Sequence, residues 1–177
     1  FCYVDPKKVI GVVETEELDG TAAFSAADSV SQKIADHVVK FILREYSAGR
    51  IPPTFLPIQA GVGNTSNAVM SGLGSPPDIP RFEMFTEVLQ DAQIELMRNG
   101  QLLGASTCAL TLSDRVMKDV FADMDFFAPK VVIRPQEITN NPGLVRRLGV
   151  IALNTVLECD IYGCANSTHV CGTQLMN

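Results

Sequence analysis

A glycine-bearing turn between a predicted strand and a predicted helix is the first place where chemistry could occur. Residues 56–60 have the apolar pattern of a short strand, and Gly61, Val62 and Gly63 follow it directly. Glycine lets the backbone approach a ligand closely, and the free N–H groups at the start of a helix favour anions and oxyanions. The turn therefore predicts a site for an anionic group, with a tight turn that binds nothing as the alternative.

Two common phosphate-binding patterns do not fit this turn. The dinucleotide fingerprint needs a third glycine, but Asn64, Thr65 and Ser66 occupy the positions after Gly63. The Walker pattern ends in Gly-Lys-Ser or Gly-Lys-Thr, which the run does not contain. The chemistry of the turn must therefore be inferred from the residues that the fold brings next to it.

A carboxylate stands near the end of the next predicted strand. Residues 82–88 read as a strand, and Glu87 lies near its carboxyl end, which points toward the glycine turn if the sheet is parallel. A glutamate in that position can act as a nucleophile, a general base or a ligand. A solvated charge at a strand end is the alternative, because exposed glutamate is common.

A polar run with stiffening prolines, residues 134–142, follows a third predicted strand at 131–133. Side-chain amides in this run could bind a carboxylate or a carbonyl oxygen, since they offer both donors and acceptors. A turn stabilised by asparagine side chains is the alternative. All three candidate segments follow strands, so a parallel sheet would bring them to one edge.

The five cysteines predict neither a disulfide framework nor a metal site. Their number is odd, and no Cys-x-x-Cys pair occurs. Strands of period two would spread Cys159, Cys164, His169 and Cys171 over both faces of a sheet. Free thiols in a reducing compartment are therefore expected.

Composition excludes several classes of protein. The chain has 177 residues, of which 46% are hydrophobic and 19% charged, so a folded domain is expected rather than a disordered segment. No apolar run approaches the roughly 18 residues that a membrane-spanning helix needs. The 20 acidic residues outnumber the 14 basic ones and give a net charge of −6, which disfavours nucleic-acid binding.

Strands alternate with helices at βαβ spacing, which predicts an α/β fold with a mostly parallel, doubly wound sheet. Strands are predicted at 9–13, 56–60, 82–88, 103–110 and 131–133, and strand-like runs or a hairpin at 150–159, 160–163 and 165–170. Helices are predicted at 28–48, 67–73, 90–98 and 114–124. The helical periodicity predicts that Ile34, Val38 and Phe41 pack against the sheet.

A distinctive set of segments occurs in a fixed order along the chain, at residues 59–69, 85–91, 134–142, 146–155 and 160–170. Together these segments resemble the acetyl-CoA hydrolase/transferase family, especially its succinyl-CoA:acetate CoA-transferase branch. The resemblance covers nearly the whole chain and is most specific over residues 56–177, whereas residues 1–24 match poorly. It implies a longer protein with two similar α/β halves, of which this chain is part of the second.

Under this resemblance, residues 1–24 form a connecting segment with an edge strand, and residues 25–177 form a partial C-terminal CoA-transferase domain. The chain carries the glycine turn and the reactive glutamate but lacks the first half. We therefore expect this piece to be inactive alone, and the surface that faced the other half to be exposed and apolar.

The resemblance also implies a mechanism. Glu87 matches a nucleophile that attacks an acyl-CoA thioester, after which the CoA thiolate returns and leaves a glutamyl-CoA thioester. The backbone N–H groups of residues 61–63 would stabilise the oxyanions, with residues 64–66 completing the CoA-binding turn. Asn140 matches an asparagine that contacts the substrate carboxylate.

The implied activity moves CoA between an acyl-CoA, such as acetyl- or succinyl-CoA, and a small carboxylate. Acetyl-CoA hydrolase is the nearest alternative, because water could discharge the thioester, and a non-catalytic CoA-binding module is a third. No metal or cofactor beyond CoA as substrate is expected. The implied full-length protein is a homo-oligomer without nucleic-acid or membrane partners, in the cytoplasm or the mitochondrial matrix.

Overall fold

The computed structural model of the protein describes residues 4–17, 20 and 26–174, in which strands and helices alternate after a short 3-10 helix at Pro6–Lys8. The helices are α1 Ser29–Ser47, α2 Asn64–Leu73, α3 Asp91–Arg98, α4 Asp114–Ala122, α5 Met124–Phe127, α6 Gln136–Thr139 and α7 Pro142–Leu148. The strands are β1 Ile58–Ala60, β2 Phe82–Phe85, β3 Val88–Leu89, β4 Leu102–Thr107, β5 Ala109–Leu110, β6 Val131–Ile133, β7 Ile151–Leu153, β8 Glu158–Cys159, β9 Ala165–Asn166, β10 His169–Val170 and β11 Thr173–Gln174.

Five strands form the main sheet in the order β6-β4-β2-β1-β7, and every neighbouring pair is parallel. Parallel pairing follows from the helical connections, which return the chain to the same end of the sheet. The predicted α/β fold with a mostly parallel sheet is therefore confirmed, and the predicted strands from 56 to 133 contribute to one sheet. The antiparallel pairs β8-β9 and β10-β11 confirm a hairpin in the last part. The start of the predicted run 150–159 instead joins the parallel sheet as β7, and residues 160–163 contain a turn and no strand.

The direction in which strands are added reverses at β1. The chain proceeds from β1 through β2 and β4 to β6 on one side, and then returns to place β7 on the other side of β1. In open α/β sheets such a reversal opens a crevice at the carboxyl ends of the strands, where ligands bind. The glycine turn after β1 lies at this position.

The core lies between the sheet and the layer of α1, α2 and α3. Ile58, Met84 and Ala105 stand in register on adjacent strands and are almost completely buried. Burying a side chain of isoleucine or methionine size contributes about 1.5–3 kcal/mol. This row anchors the middle of the sheet and thereby fixes the strand ends that carry the candidate site.

Helix α1 confirms the predicted helix, but its buried face is not the predicted one. Asp28 is the N-cap and accepts a hydrogen bond from the Ser31 backbone N–H at 2.7 Å. Ile34 and Phe41 are 43% and 54% exposed, so the prediction that they pack against the sheet is wrong. The buried stripe is Ser31, Ala35, Val39 and Ile42. Smaller side chains on that stripe let α1 lie close to α2, while the larger stripe faces outward.

The strand predicted at residues 9–13 is absent. These residues form no ladder in the structure, and the side chain of Ile10 is fully exposed. An apolar, β-branched run becomes a strand only when another strand pairs with it, and none of the described residues does so. The predicted edge strand is therefore wrong, and the predicted boundary at residues 24 and 25 lies outside the described residues.

The face of the sheet opposite α1–α3 carries exposed apolar side chains. Leu103 and Val132 are 43% and 46% exposed there, and a groove of 390 Å³ runs past Phe85, Lys130 and Leu148. Parallel sheets usually have both faces covered. Exposed apolar side chains are thus present, as expected for a surface that packs against further structure.

Helix α4 lies within the predicted range 114–124 and begins after its N-cap, Ser113. Val116 and Val120 form its buried face, whereas Phe121 is 56% exposed.

Candidate functional site

Two neighbouring strands are interrupted at the level of Glu87. The predicted strand 82–88 is divided into β2 and β3, and the predicted strand 103–110 is divided into β4 and β5 at Cys108. The Glu87 carbonyl oxygen lies at this break and accepts from Cys108 N at 2.9 Å, Ala109 N at 3.1 Å and Thr107 Oγ1 at 2.7 Å. The backbone that carries the Glu87 side chain is thus fixed by three donors.

Glu87 is half-buried, and its carboxylate accepts a hydrogen bond from Gln136. The distance from Gln136 Nε2 to Glu87 Oε1 is 2.8 Å. Gln136 begins α6, directly after β6, so the polar segment 134–142 reaches the strand end that carries the glutamate. An amide donor on a carboxylate oxygen orients that group.

Asn140 lies one helical turn beyond Gln136, as the C-cap of α6. Its side chain is exposed, and its Oδ1 accepts from Thr139 Oγ1 at 3.1 Å. The structure therefore places Asn140 at the end of the short helix whose Gln136 contacts Glu87. The Asn140 side chain itself is hydrogen-bonded to Thr139.

Thr86 joins the Glu87 strand to the glycine turn. Its side chain is fully buried, and Thr86 Oγ1 lies 3.4 Å from the Ala60 backbone nitrogen, which donates to it, and 3.3 Å from the Ala60 carbonyl oxygen. Ala60 immediately precedes Gly61. The turn and the glutamate therefore leave adjacent strands at the same edge, as the sequence predicts.

Gln90 makes a second connection on the other side of Glu87. Its Nε2 donates to the Gly61 carbonyl oxygen at 2.8 Å, and its Oε1 accepts from the Gly63 backbone N–H at 2.9 Å. Gln90 is fully buried and is also the N-cap of α3, where its backbone N–H donates to Gln93 Oε1 at 3.0 Å. The glycine turn is thus attached to residues that precede and follow Glu87.

The three backbone N–H groups of the turn are not equivalent. Gly61 N donates to the Leu153 carbonyl oxygen at 2.9 Å, and Gly63 N donates to Gln90. The Val62 N–H has no partner among the described residues, and the Val62 side chain is 59% exposed. The Gly61 and Gly63 N–H groups are therefore engaged within the protein, and the oxyanion role predicted for the turn stays a prediction.

Helix α2 begins at Asn64, three residues earlier than predicted, so Asn64, Thr65 and Ser66 form its first turn. Thr65 Oγ1 lies 3.0 Å from Ser31 Oγ of α1 and serves the packing of the two helices. Ser66 Oγ is buried without a hydrogen-bond partner among the described residues. These three residues therefore place the positive end of a helix dipole beside the turn.

Gly61 also contacts the strand on the other side of β1. Gln59 and Asn154 form a reciprocal pair of side-chain hydrogen bonds, at 3.0 and 2.9 Å, across β1 and the end of β7. A Cβ atom on Gly61 would lie 3.0 Å from Asn154 Oδ1. An alanine at position 61 would therefore displace the Asn154 amide by a few tenths of an ångström and disturb its pair with Gln59.

Sequence reasoning did not single out Gln136, Gln90, Thr86 or Asn154 as site residues. Each lies within a segment that carries the family resemblance, and Gln90 and Gln136 stand just beyond the ends of predicted strands. The position of these residues in such segments is the feature of the sequence that points to them. The sequence does not show which of their amide and hydroxyl groups the fold buries or pairs.

Comparison with known proteins decides the family. Residues 117–177 match the model of the acetyl-CoA hydrolase/transferase C-terminal domain. A propanoyl-CoA:succinate CoA transferase of Escherichia coli (strain K12) is 52% identical over 177 residues, which is 100% of this chain and 36% of that protein. The chain belongs to the acetyl-CoA hydrolase/transferase family.

Other relatives in the family carry both kinds of name. An acetyl-CoA hydrolase of Schizosaccharomyces pombe is 42% identical over 100% of this chain and 34% of its own length. A succinyl-CoA:acetate CoA-transferase of Clostridium kluyveri is 40% identical over 97% of this chain and 32% of its own length. The chain thus spans about a third of the length of the curated relatives it matches.

Solved structures show the same fold. RipA from Yersinia pestis aligns with a TM-score of 0.64 at 21% identity, over 84% of this chain and 33% of its own. A 4-hydroxybutyrate CoA-transferase from Porphyromonas gingivalis aligns with a TM-score of 0.59 at 19% identity, over 84% of this chain and 36% of its own.

Proposed function

We propose that the protein containing this chain is a CoA-transferase that moves CoA from an acyl-CoA to a small carboxylate through a glutamyl-CoA thioester on Glu87. The observation that carries the proposal is the position of Glu87. Its carboxylate is oriented by Gln136, its backbone is fixed by three donors, and its neighbours in the chain bind the glycine turn. Family membership supports acyl-CoA chemistry at this site.

The first half of the reaction consumes the acyl-CoA. A Glu87 carboxylate oxygen attacks the thioester carbonyl, the new C–O bond forms, the C–S bond breaks, and CoA leaves as a thiolate from a mixed anhydride. The thiolate then attacks the glutamyl carbonyl and expels the acyl group as a carboxylate. The enzyme now holds CoA as a thioester on Glu87.

The second half is the same chemistry in reverse. The acceptor carboxylate attacks the glutamyl-CoA thioester and releases CoA thiolate, which then attacks the acceptor carbonyl of the new anhydride. A new acyl-CoA leaves and the Glu87 carboxylate is restored. Atoms and electrons balance without a redox partner, so the proposal includes CoA as substrate and no further cofactor.

Each attack places negative charge on a carbonyl oxygen, and the glycine turn supplies the donor for it. The Val62 N–H is the turn amide without a partner among the described residues. The N-terminus of α2 begins two residues later and adds positive potential. A preorganised donor of this kind lowers the barrier, because it need not reorient as the charge develops.

Replacing Gln136 with leucine in the full-length protein is expected to slow modification of Glu87 by about 10–100-fold, because a hydrogen bond to a charged group contributes about 1.5–3 kcal/mol. The measurement is the single-turnover rate of CoA attachment. Glu137→Gln is the matched control, since it changes the next residue of the same helix, and it should react at the wild-type rate. An unchanged rate in Gln136→Leu would show that the 2.8 Å contact does not orient the nucleophile.

Acetyl-CoA hydrolase is the second candidate, because relatives of similar identity carry that name. The two activities differ in what discharges the glutamyl-CoA thioester. We expect the full-length protein, given acetyl- or succinyl-CoA, to form a new acyl-CoA when acetate, succinate or propionate is added, faster than it releases free CoA. Release of CoA thiol at a rate independent of added carboxylate would instead assign it as a hydrolase.

The remaining parts of the proposal concern the whole protein. Acyl-CoA and small carboxylates are its proposed partners, without nucleic acid or membrane, and it is proposed to assemble as a homo-oligomer in the cytoplasm or the mitochondrial matrix. Among the described residues, no helix is long and apolar enough to cross a membrane. This piece alone is proposed to be inactive.

A further inference from the structure

We infer that Gln90 is a positioning residue that fixes the direction of the Val62 N–H toward the reacting oxygen. This inference rests on the proposed function of Glu87 and the glycine turn. It predicts that Gln90 controls the rate of covalent chemistry and has little effect on the binding of CoA.

The geometry of one peptide unit carries the argument. The Gly61 carbonyl and the Val62 N–H belong to the same peptide plane, and in a trans peptide they point in opposite directions. Gln90 Nε2 donates to the Gly61 carbonyl oxygen at 2.8 Å, so this peptide plane cannot rotate without losing that bond. The Val62 N–H is thereby directed away from Gln90.

The other end of the same amide fixes the next residue of the turn. Gln90 Oε1 accepts from the Gly63 N–H at 2.9 Å, while Asn67 Nδ2 lies 3.5 Å from the same oxygen. Val62 is thus bracketed by two hydrogen bonds to one side chain. Among uncharged side chains of this length, only an amide both donates to Gly61 and accepts from Gly63.

Gln90 itself has little freedom to move. It is fully buried, and its backbone N–H is bound by Gln93 Oε1 in the capping box that begins α3. It lies three residues after Glu87 in the chain. The nucleophile and the turn that stabilises the oxyanion are therefore parts of one rigid unit, with Gln90 as the side chain that joins them.

Without Gln90, the turn would have an alternative arrangement. Gly61 can adopt backbone conformations that other residues avoid, so the Gly61–Val62 peptide could flip. A glutamate at position 90 favours the flip, because a carboxylate accepts hydrogen bonds but cannot donate to the Gly61 carbonyl. The flipped peptide would direct the Val62 N–H toward position 90 and present a carbonyl oxygen to the developing negative charge.

The test compares Gln90→Glu, Gln90→Met and Gln101→Met in the full-length protein. Gln101 is the matched control, since its Nε2 also donates to backbone carbonyl oxygens, those of Ile79 and Pro80 at 3.0 Å each, but it precedes β4 and so lies at the opposite end of the parallel strands from the glycine turn. Loss of an oxyanion donor lowers kcat by about 10²–10³-fold, and we expect Gln90→Glu to show that loss with the KM for acyl-CoA changed by less than about three-fold. Gln90→Met should show a smaller loss, and Gln101→Met should keep wild-type kcat even if its Tm falls.

Each outcome supports or overturns the inference. If kcat is unchanged in folded Gln90→Glu, or if KM alone rises, Gln90 does not position the donor. If neither Gln90 variant yields folded protein, Gln90 serves folding and the inference is overturned. If the wild-type protein forms no CoA adduct, the proposed function fails, whereas an adduct formed equally fast by wild type and by Gln90→Glu rejects only the role of Gln90.

Discussion

Glu87→Gln in the full-length protein is expected to form no covalent CoA adduct. The amide has nearly the same size as the carboxylate and can still accept the hydrogen bond from Gln136, so the fold should be retained. It lacks the anionic oxygen that attacks the thioester. Intact-mass analysis after incubation with acyl-CoA should therefore show the unmodified mass, where the wild-type protein carries CoA.

Glu87→Asp tests the reach of the nucleophile. Aspartate keeps the charge but is one methylene shorter, and a displacement of about 1 Å can lower a rate by about 10²-fold. Glu83→Gln is the matched control, because Glu83 is an exposed glutamate four residues earlier on β2. Glu83→Gln should form the adduct at the wild-type rate. An adduct on the Glu87→Gln protein would contradict the assignment of Glu87 as the nucleophile.

Gly63→Ala is expected to lower the rate of CoA attachment by at least about 10²-fold. Gly63 has φ +121° and ψ 176°, a region of backbone conformation that is open essentially only to glycine. An alanine must leave that conformation or accept a strain of about 1–3 kcal/mol. Either response moves the N–H that Gln90 binds and shifts the start of α2. Single-turnover kinetics with acyl-CoA measures the effect.

Gly49→Ala is the matched control, because it introduces backbone strain at a glycine that lies outside the glycine turn. Gly49 also has a positive φ, +70°, with no heavy atom within 4 Å of an added Cβ, and it lies at the end of α1 away from the turn. Left-handed conformation costs a residue with a Cβ roughly 1–2 kcal/mol, so Gly49→Ala should lower Tm. Its rate of CoA attachment should stay at the wild-type value. If Gly63→Ala also reacts at that rate, the turn does not supply the oxyanion donor.

Much of the site could be predicted because parallel sheets follow simple rules. The segments that carry Gly61, Glu87 and Asn140 each follow a strand, and parallel strands end at a common edge. Local patterns were sufficient to find these strands. They did not show that β7 pairs with β1, because strand order depends on packing between distant segments.

Pairing and exposure explain the wrong predictions. Residues 9–13 have the composition of a strand, but no strand among the described residues pairs with them. Composition does not reveal whether a segment has a neighbouring strand to pair with. Helix α1 has two apolar stripes, and periodicity alone cannot decide which one the neighbouring helix covers. The stripe with Ser31 and Ala35 is covered because it permits a closer approach of α2 than the stripe with Ile34 and Phe41.

The amides of Gln90 and Gln136 could not be assigned from sequence for a different reason. A glutamine after a strand is usually exposed, and nothing local distinguishes one that binds a backbone turn from one that binds water. Both roles depend on where a distant segment of the chain lies in the fold. Gln90 binds a turn 27 residues earlier in the chain, and Gln136 binds a carboxylate 49 residues earlier.

Mapping the modified residue in the wild-type protein tests the central claim most directly. The full-length protein is incubated with acetyl- or succinyl-CoA, the glutamyl thioester is reduced with borohydride to an alcohol, and the digested peptides are sequenced by mass spectrometry. The account predicts that reduction marks Glu87 and that adding a carboxylate acceptor before the borohydride removes the mark. Reduction at another carboxylate, or no CoA-dependent reduction at all, would contradict it.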